Sequence, residues 1–408
     1  MRSLVILKGL VKRNKIDWVK REGLFNFLLD IDSVKRLYYR PDYRGGKDFL
    51  TRSYDDNVYR VFIQALCSRL STGTLIVVDM DNESVSTVEE LAMIYGYKVF
   101  YHVEPTPFDY VKKNKKYCTY QYVPQSEEML KREVSEFNKL SFIEEDLINS
   151  YIDLEKYWRY QLQPIKVDNK DSILHVSDLH SHWEVLKRNI PIKKFPLIVF
   201  LGDYIDGPEE GGSRRLINFV LKNKDKESFV FLEGNHELRL RKYLGYIYLK
   251  GRGKKIVSEI LRAELSEDFL QKTSHEFSDI KMIDAKEILL ELNETLREFI
   301  MYERDNITFI CTHAGLKWKE QLSPKYIGNV IYSTRNTERV DEAFSTRYSK
   351  CDLWSIHGHC KYNNINFTKF PRVVNIDTED ENKVNYYINR PGTRSEFYIL
   401  NDKKHGKK

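Results

Sequence analysis

The sequence predicts an α/β protein of two unequal domains, and three patterns along the chain lead to that fold class. Apolar strand-like runs alternate with helical patterns over residues 1–125, a charged helical stretch follows, and a second series of apolar runs begins near residue 173. Strand–helix–strand alternation is typical of a parallel sheet with helices on both faces. A chain of 408 residues has room for two or three domains.

The first series of strands lies in residues 1–140, which we assign to an N-terminal domain. Its apolar runs are Leu4–Leu7, Phe27–Leu29, Leu75–Val78 and Val99–Val103. We interpret residues 141–170 as a helical linker and residues 171–408 as the second domain. Three apolar runs follow the linker, at Ile173–Val176, Leu197–Leu201 and Phe229–Leu232.

Five polar clusters of the second domain each follow a predicted strand. They are Asp178-Leu179-His180, Gly202–Gly207, Gly234–Glu237, Thr312–Gly315 and His357–His359. Ligand sites in α/β sheets gather outside the carboxyl ends of the strands, so we expect these clusters to converge. Carboxylates mixed with imidazoles suit Mn, Fe or Zn. Each cluster alone is uninformative, but all five together predict a metal site.

The motif order D-x-H, G-D-x-x-D, G-N-H-E, H-A-G and G-H resembles that of the calcineurin-like binuclear metallophosphoesterases over residues 172–380. Within that superfamily it is similar to the protein-phosphatase branch and to bacterial and phage polynucleotide kinase–phosphatases. The resemblance implies an α/β domain built as a β-sandwich with flanking helices. It also implies two divalent metal ions, with Mn²⁺ favoured and Ni²⁺, Fe and Zn²⁺ as alternatives.

The resemblance implies a role for each motif residue. Asp178 and His180 would bind the first metal, and Asp203 would bridge both metals. The second metal would also be bound by Asn235, His313 and His359. His236 would donate a proton to the leaving oxygen, and Asp206 would orient His236 or tune its charge. Other branches of the superfamily carry a second metal ligand at the position of Lys361. His359 should therefore be the one metal ligand that the last motif supplies.

The sequence departs from the family pattern at a phosphate-binding arginine. The usual motif is G-D-x-x-D-R-G, whereas Gly207 follows Asp206 here. Arg214 or Arg215 is a candidate replacement, and the alternative is that both are surface residues at a helix start. Glu233 stands where protein phosphatases carry an arginine, which counts against a phosphoprotein substrate.

The start of the chain resembles a P-loop polynucleotide kinase with a degraded phosphate loop. Alignment of Gly9 with the first glycine of G-x-x-x-x-G-K-[ST] places Asn14 at the second glycine, Lys15 at the lysine and Ile16 at the hydroxyl residue. A phosphate loop needs flexible glycines whose consecutive N–H groups wrap the phosphates, and its hydroxyl binds Mg²⁺. Neither requirement is met.

The kinase resemblance assigns Asp32 to activation of a 5′-hydroxyl and Lys113 to a basic lid over Lys112–Lys116. We expect a pseudokinase that has lost ATP binding and contacts a nucleic-acid end or a partner. The alternative is weak phosphate transfer through Lys15 and Asp32.

The order of the domains resembles that of polynucleotide kinase–phosphatases that repair RNA ends. We therefore expect a phosphoesterase that removes a 3′-phosphate or opens a 2′,3′-cyclic phosphate at nucleic-acid ends, with an RNA ligase as a partner in trans. One alternative is a metallophosphatase that acts on free nucleotides or phosphoproteins. The other is a nucleotide- or partner-binding module without turnover.

Composition excludes several classes of protein. Lys and Arg number 66 against 60 Asp and Glu, a net charge of +6 that permits an anionic partner without requiring one. No apolar run approaches the ~18 residues of a membrane span, and the five cysteines form no C-x-x-C pair. We therefore expect a cytoplasmic protein with reduced thiols and no membrane partner. The sequence does not determine the oligomeric state.

Overall fold

The computed structural model describes residues 2–38, 56–73, 75–80, 82–104, 107–113, 127–139, 143–168, 171–316, 337–359, 370–377, 383–390 and 396–401. The chain divides into two compact units, Met1–Tyr160 and Gln161–Lys408.

The first unit is built on a parallel sheet of four strands in the order β2-β3-β1-β4. The strands are β1 (Ser3–Lys8), β2 (Leu28–Asp30), β3 (Leu75–Asp79) and β4 (Lys98–Val103). The described helices are α1 (Lys12–Arg21), α2 (Ile31–Tyr38), α3 (Asp56–Thr72), α4 (Asn82–Ile94), α5 (Phe108–Lys113), α6 (Glu127–Asn138) and α7 (Tyr151–Gln161). Strand β1 is buried along its whole length, as a central strand covered on both faces should be. The predicted parallel sheet is confirmed.

Helix α7 packs into the core of the first unit, although the sequence places it in the linker. Leu154 and Trp158 belong to one apolar cluster with Val5 and Leu7 of β1. The indole Nε1 of Trp158 also donates a hydrogen bond to Ser3 Oγ at 2.9 Å. The first unit therefore includes part of the segment predicted as a linker.

The phosphate-loop segment is mostly helical in the structure. Three residues, 9–11, separate β1 from α1, so Lys15 lies on α1. Its ammonium pairs with the carboxylate of Asp79, and the two side chains are 1% and 2% exposed. Lys12 donates hydrogen bonds to Asp30 at 2.8 Å and to Asp32. Both residues predicted to act in phosphate transfer, Lys15 and Asp32, are therefore engaged in internal ion pairs.

Replacing Asp79 with Asn is expected to destabilise the first unit. The change leaves the buried ammonium of Lys15 without its counter-charge, and breaking a buried pair in this way costs on the order of 3–5 kcal/mol. Hydrogen exchange of peptides that cover β1 and β3 would measure the loss. Combining Lys15→Met with Asp79→Leu removes both charges and should recover most of the protection. Unchanged exchange in the Asn variant, or no recovery in the double variant, would contradict the expectation.

Two sheets face each other in the second unit. One has the order β15-β14-β6-β7-β8-β9 and the other β13-β12-β11-β10-β5. The strands are β5 (Ile165–Lys166), β6 (Ile173–Val176), β7 (Leu197–Phe200), β8 (Phe229–Leu232), β9 (Leu296–Arg297), β10 (Phe299–Arg304), β11 (Ile307–Thr312), β12 (Leu353–His357), β13 (Val373–Asn375), β14 (Lys383–Asn389) and β15 (Glu396–Asn401). Val199 and Val230 of the first sheet share a buried cluster with Tyr302 and Ile356 of the second. The unit is therefore a sandwich.

Helices accompany the sandwich, as the sequence predicts. They are α8 (Trp183–Asn189), α9 (Gly212–Lys222), α10 (Asn235–Gly251), α11 (Lys255–Ala263), α12 (Glu267–Lys272), α13 (Met282–Thr295) and α14 (Thr337–Arg347). Leu216, Ile217 and Val220 form the buried stripe of α9. The α/β fold class is confirmed. Of the helices described here, none has the length and apolar content that a membrane crossing requires.

Candidate metal centre

The five predicted clusters meet in space. They lie at the carboxyl ends of β6, β7, β8, β11 and β12. The first three strands are parallel neighbours in one sheet, and the last two are parallel neighbours in the other. Their carboxyl ends therefore lie at one edge of each sheet. Two groups of residues offer ligand atoms that, within each group, lie within 4.8 Å of one another. The first group is formed by His180, Asp203 and His236, and the second by Asp203, His313 and His359.

Asp203 is common to both groups and is almost fully buried. Its Oδ2 lies 3.4 Å from His313 Nε2, 3.6 Å from His236 Nε2 and 3.7 Å from His359 Nδ1. Burial alone would raise the pKa of the Asp203 carboxyl, but the charges of His236 and His313 hold it well below its usual range. The position matches the one expected of a bridging carboxylate.

The backbone that presents these side chains is strained. His180, Asp203, Asp206 and His359 have φ angles of 37°, 51°, 65° and 61°, in the left-handed region that non-glycine residues rarely occupy. Such conformations persist where the surrounding structure over-determines them, and they concentrate at functional sites. The gathering of four such residues at and around Asp203 points to a site.

Glu237 holds the loop that carries Asp203. Its buried carboxylate accepts hydrogen bonds from the backbone N–H groups of Asp203, Tyr204 and Gly234 at 2.9, 2.8 and 2.9 Å. Burial and the nearby Asp203 charge raise the pKa of Glu237 to about 7. At Gly234 a Cβ atom would lie 2.1 Å from Asp203 Oδ1. Glycine is therefore required there, and the two loops interlock.

Asp178 has one oxygen that fits a bound cation. Its Oδ2 accepts hydrogen bonds from the backbone N–H of His359 at 2.9 Å and from Ser177 Oγ at 3.0 Å. Its Oδ1 is buried without a hydrogen bond from any residue that the structure describes, and lies 3.3 Å from His313 Nδ1. A buried carboxylate oxygen left unsatisfied in this way is costly, and a metal ion would satisfy it.

The imidazole of His313 is oriented as a metal ligand. Its Nδ1 lies 2.8 Å from the carbonyl oxygen of Leu201, whereas its Nε2 faces Asn235 Oδ1 at 3.0 Å and Asp203 Oδ2 at 3.4 Å. An Nδ1–H bonded to a carbonyl fixes the tautomer whose Nε2 lone pair can bind metal. Burial opposes protonation, but the charges of Asp203 and Asp178 raise the pKa of His313 to about 10. Nε2 faces two oxygen acceptors, so it holds a proton or a metal ion between itself and them.

His180 has the same orientation on the other side of Asp203. Its Nδ1 lies 3.3 Å from the carbonyl oxygen of Ile205, which leaves Nε2 for a metal. Burial lowers the pKa of His180, so its imidazole is neutral, as a ligand must be. Taken together, carboxylate, amide oxygen and imidazole donors fit divalent ions of the Mn, Fe or Zn type.

His236 is oriented by Asp206. Its Nδ1 lies 2.7 Å from Asp206 Oδ2, and Thr273 Oγ1 donates a hydrogen bond to the other carboxylate oxygen. Burial opposes a charge on His236, but Asp203 and Asp206 raise its pKa. With Nδ1 engaged, Nε2 is the atom that can deliver a proton to a bound substrate.

A family model described as calcineurin-like phosphoesterase matches residues 172–389, more than half of the chain. The chain belongs to the calcineurin-like phosphoesterase family. This confirms the resemblance to calcineurin-like metallophosphoesterases. Members of this family hydrolyse phosphate esters with divalent metals.

Solved structures show similarity at low identity. A protein named as a candidate diadenosine tetraphosphatase shares 13% identity with a TM-score of 0.34, covering 58% of this chain and 98% of its own. A serine/threonine phosphatase from Saccharomyces cerevisiae shares 13% identity with a TM-score of 0.37, covering 69% and 98%. Among curated proteins, no match to the chain was found.

The two arginines proposed to replace the missing family arginine do not join the metal centre of this phosphoesterase. Arg214 pairs with Asp279 at 2.6 Å and Arg215 with Glu209 at 2.6 Å. Both occupy the first turn of α9 and are partly exposed. These contacts favour the alternative that Arg214 and Arg215 are surface residues at the start of a helix.

Arg239 is a site residue that the sequence reasoning missed. Its Nη1 donates a hydrogen bond to Asp206 Oδ2 at 3.2 Å and lies 3.3 Å from His236 Nδ1. The signal is its spacing, because residues three apart on a helix share a face and Arg239 follows His236 by three positions on α10. A cation therefore adjoins the proposed proton donor of this phosphoesterase.

Glu233, which the sequence analysis used against a phosphoprotein substrate, is engaged in a buried ion pair. Its carboxylate pairs with Arg241, and the two side chains are 4% and 1% exposed. Arg241 also donates a hydrogen bond to Asn293 Oδ1 at 2.6 Å. A buried and neutralised acid cannot select a substrate, so Glu233 carries no information against a phosphoprotein.

Lys15 and Asp32, two of the residues predicted for the kinase-like site, belong to one cluster of paired charges at the ends of β2 and β3. Lys15 is buried against Asp79, Asp32 bonds to Lys12, and Lys113 is exposed at the end of α5. The rest of the predicted lid, residues 114–116, lies outside the described residues.

Proposed function

We propose that this protein hydrolyses phosphate esters at nucleic-acid ends, as a 3′-phosphatase or 2′,3′-cyclic phosphodiesterase. The observation that carries the hydrolytic chemistry is the cluster centred on Asp203, with imidazoles on both sides of one buried carboxylate. The preference for nucleic-acid ends is supported by the parallel-sheet unit that precedes it, whose first strand and helix resemble those of a polynucleotide kinase.

Two groups of donors would hold two divalent ions, Mn²⁺ being favoured. Asp178, His180 and Asp203 would hold one ion, and the second would be held by Asp203 with Asn235, His313 and His359. Such ions supply Lewis-acid activation of the phosphate ester and of a water molecule.

The side chains of the protein contribute a proton donor that is held in position. His236 donates from Nε2 to the departing oxygen, while Asp206 keeps the ring in place through Nδ1 at 2.7 Å. Arg239, on the same carboxylate, adds positive charge beside the incoming phosphate. Its position offsets the absence of an arginine directly after Asp206.

We infer that the first unit is a pseudokinase that does not bind ATP. Only three residues, 9–11, separate β1 from α1, so the segment that should wrap phosphates is helical from Lys12 onward. The ammonium of Lys15 is withdrawn into a buried pair with Asp79. A nucleic-acid end, or an RNA ligase acting in trans, is then the partner that we propose for this unit.

The substrate class can be tested by comparing phosphate esters with the full-length protein. Turnover would be measured with Mn²⁺ on a 3′-phosphorylated oligoribonucleotide, an oligoribonucleotide with a 2′,3′-cyclic end, nucleoside monophosphates and a phosphopeptide. We expect kcat/KM to be highest for one of the two oligonucleotide ends. A higher value for the free nucleotides or the phosphopeptide would refute the nucleic-acid assignment, and no turnover of any ester would refute hydrolysis.

A further inference from the structure

A groove of about 730 Å³ lies beside α8, α9 and the start of β8, on the second unit. Its lining includes four aromatic side chains that are each half-buried, Trp183, Phe195, Phe219 and Phe229. The centroid of the Phe219 ring lies 5.9 Å from those of Trp183 and Phe229. Three of the rings therefore form one continuous aromatic surface that solvent reaches.

The same groove is lined by positive charge. Lys193, Arg215, Lys222 and Lys226 are exposed along it, and no carboxylate is among its lining residues in the part of the chain that the structure describes. Arg215 is bound to Glu209, which leaves the three lysines as the main cations. Lys226 Nζ lies 5.3 Å from the centroid of the Phe229 ring, so charge and aromatic surface adjoin.

The groove follows α9 away from the loop that carries Asp206. Arg215 is in the first turn of that helix and Lys222 is its last residue. Seven residues at ~1.5 Å each span about 10 Å, or about three stacked nucleotides at ~3.4 Å each. A strand lying in the groove would thus have its Arg215 end near the loop that leads back to the metal centre.

We infer that this groove binds a short single-stranded stretch of the nucleic acid whose end is hydrolysed, an inference that rests on the proposed function. Accessible aromatic faces stack on unpaired bases, a contact worth ~1–3 kcal/mol per base, while cations track the phosphates. A duplex hides its base faces within the stack, and an acidic peptide would pair with the lysines while leaving the rings without stacking partners. The combination therefore favours a single strand.

Binding can be measured separately from hydrolysis. The probe is a 5′-fluorescein-labelled oligouridylate of 12 nucleotides with a 3′-hydroxyl, titrated with the full-length protein in EDTA and followed by fluorescence anisotropy. Lys222→Gln combined with Lys226→Gln should weaken binding about tenfold near physiological salt. Each lost phosphate contact lowers the slope of log K against log[salt] by ~0.7, so the double variant should lower it by about 1.4. Lys255→Gln combined with Lys286→Gln, both exposed on other helices, removes the same charge elsewhere and should change neither quantity.

A second measurement tests whether the aromatic rings of the groove contact the bases. Oligouridylate should quench tryptophan fluorescence in the wild-type protein, and Trp183→Phe should remove that quenching while keeping an aromatic ring in the groove. Unchanged affinity and salt slope in the groove double variant, or an equal loss in the control, would overturn the inference. Equal displacement of the probe by a poly-glutamate peptide would also overturn it, because charge alone would then explain binding. Binding with no turnover of any ester would refute the proposed function and leave the groove standing.

Discussion

Replacing Asp203 with Asn should abolish metal binding and hydrolysis together. Asp203 is the carboxylate common to both groups of donors, and its Oδ2 faces three imidazoles between 3.4 and 3.7 Å away. An amide keeps the shape of the side chain but removes the negative charge that both ions would share. Metal-ion catalysis supplies several kcal/mol, so the expected loss in kcat/KM is at least about 10³-fold.

The experiment needs two readouts and a matched control. Metal content of the purified protein, measured after loading with Mn²⁺ and removal of excess, should fall in Asp203→Asn in parallel with activity. Asp305→Asn is the control, because Asp305, in the turn between β10 and β11, has a φ angle of 52° against 51° for Asp203. The fold should survive, since the bonds from Glu237 go to backbone N–H groups. Full metal content with lost activity would argue against the bridging role.

The metal centre was accessible to sequence reasoning because it depends on chain order more than on side-chain packing. Each cluster directly follows an apolar run that is buried on both faces, and parallel strands place such positions at a common edge. Asp178, Asp203 and His313 could be located in this way without knowing how any helix packs. The rule places ligands at one edge of each sheet, and the packing of the two sheets against each other brings those edges together.

The order of strands and clusters along the chain does not reveal which charged side chain of a helix faces a site. Arg239 and Arg241 lie two positions apart on α10, which turns them ~200° from each other. Packing of the helix against the sandwich directs Arg239 to Asp206 and Arg241 to Glu233. The sequence contains both arginines and the acid, but the rotation of the helix decides their partners. The pairing of Glu233 with Arg241, which removes its weight in a substrate argument, has this cause.

In the first unit, the sequence did not reveal where the loop after β1 ends and the next helix begins. Aligning Gly9 with a phosphate loop assumes that the chain stays non-helical as far as Lys15. Residues 12–16, Lys-Arg-Asn-Lys-Ile, contain no glycine or proline to resist helix formation, and α1 begins at Lys12. Loss of the glycines thus removes the loop itself, and the buried pairing of Lys15 follows because its side chain then projects from a helix.

Replacing His236 with Asn should slow hydrolysis according to how much the leaving group needs a proton. Asn retains a donor near the position of Nδ1 for Asp206 but has nothing at Nε2 that can transfer a proton. General acid catalysis contributes ~10²–10⁴-fold. We therefore expect a loss of that size for a nucleotide 3′-phosphate, whose departing alkoxide is strongly basic, and a much smaller loss for p-nitrophenyl phosphate, whose phenolate leaves without help.

The ratio of the two losses separates proton donation from metal binding at His236. This distinction matters because His236 is close enough to His180 and Asp203 to form a ligand group with them, although its Nδ1 is already bonded to Asp206. A proton donor predicts unequal losses and an unchanged Mn²⁺ content in His236→Asn. A ligand predicts equal losses on both substrates together with reduced Mn²⁺. The second pattern would reassign His236 to the first metal and would require another residue to protonate the leaving oxygen.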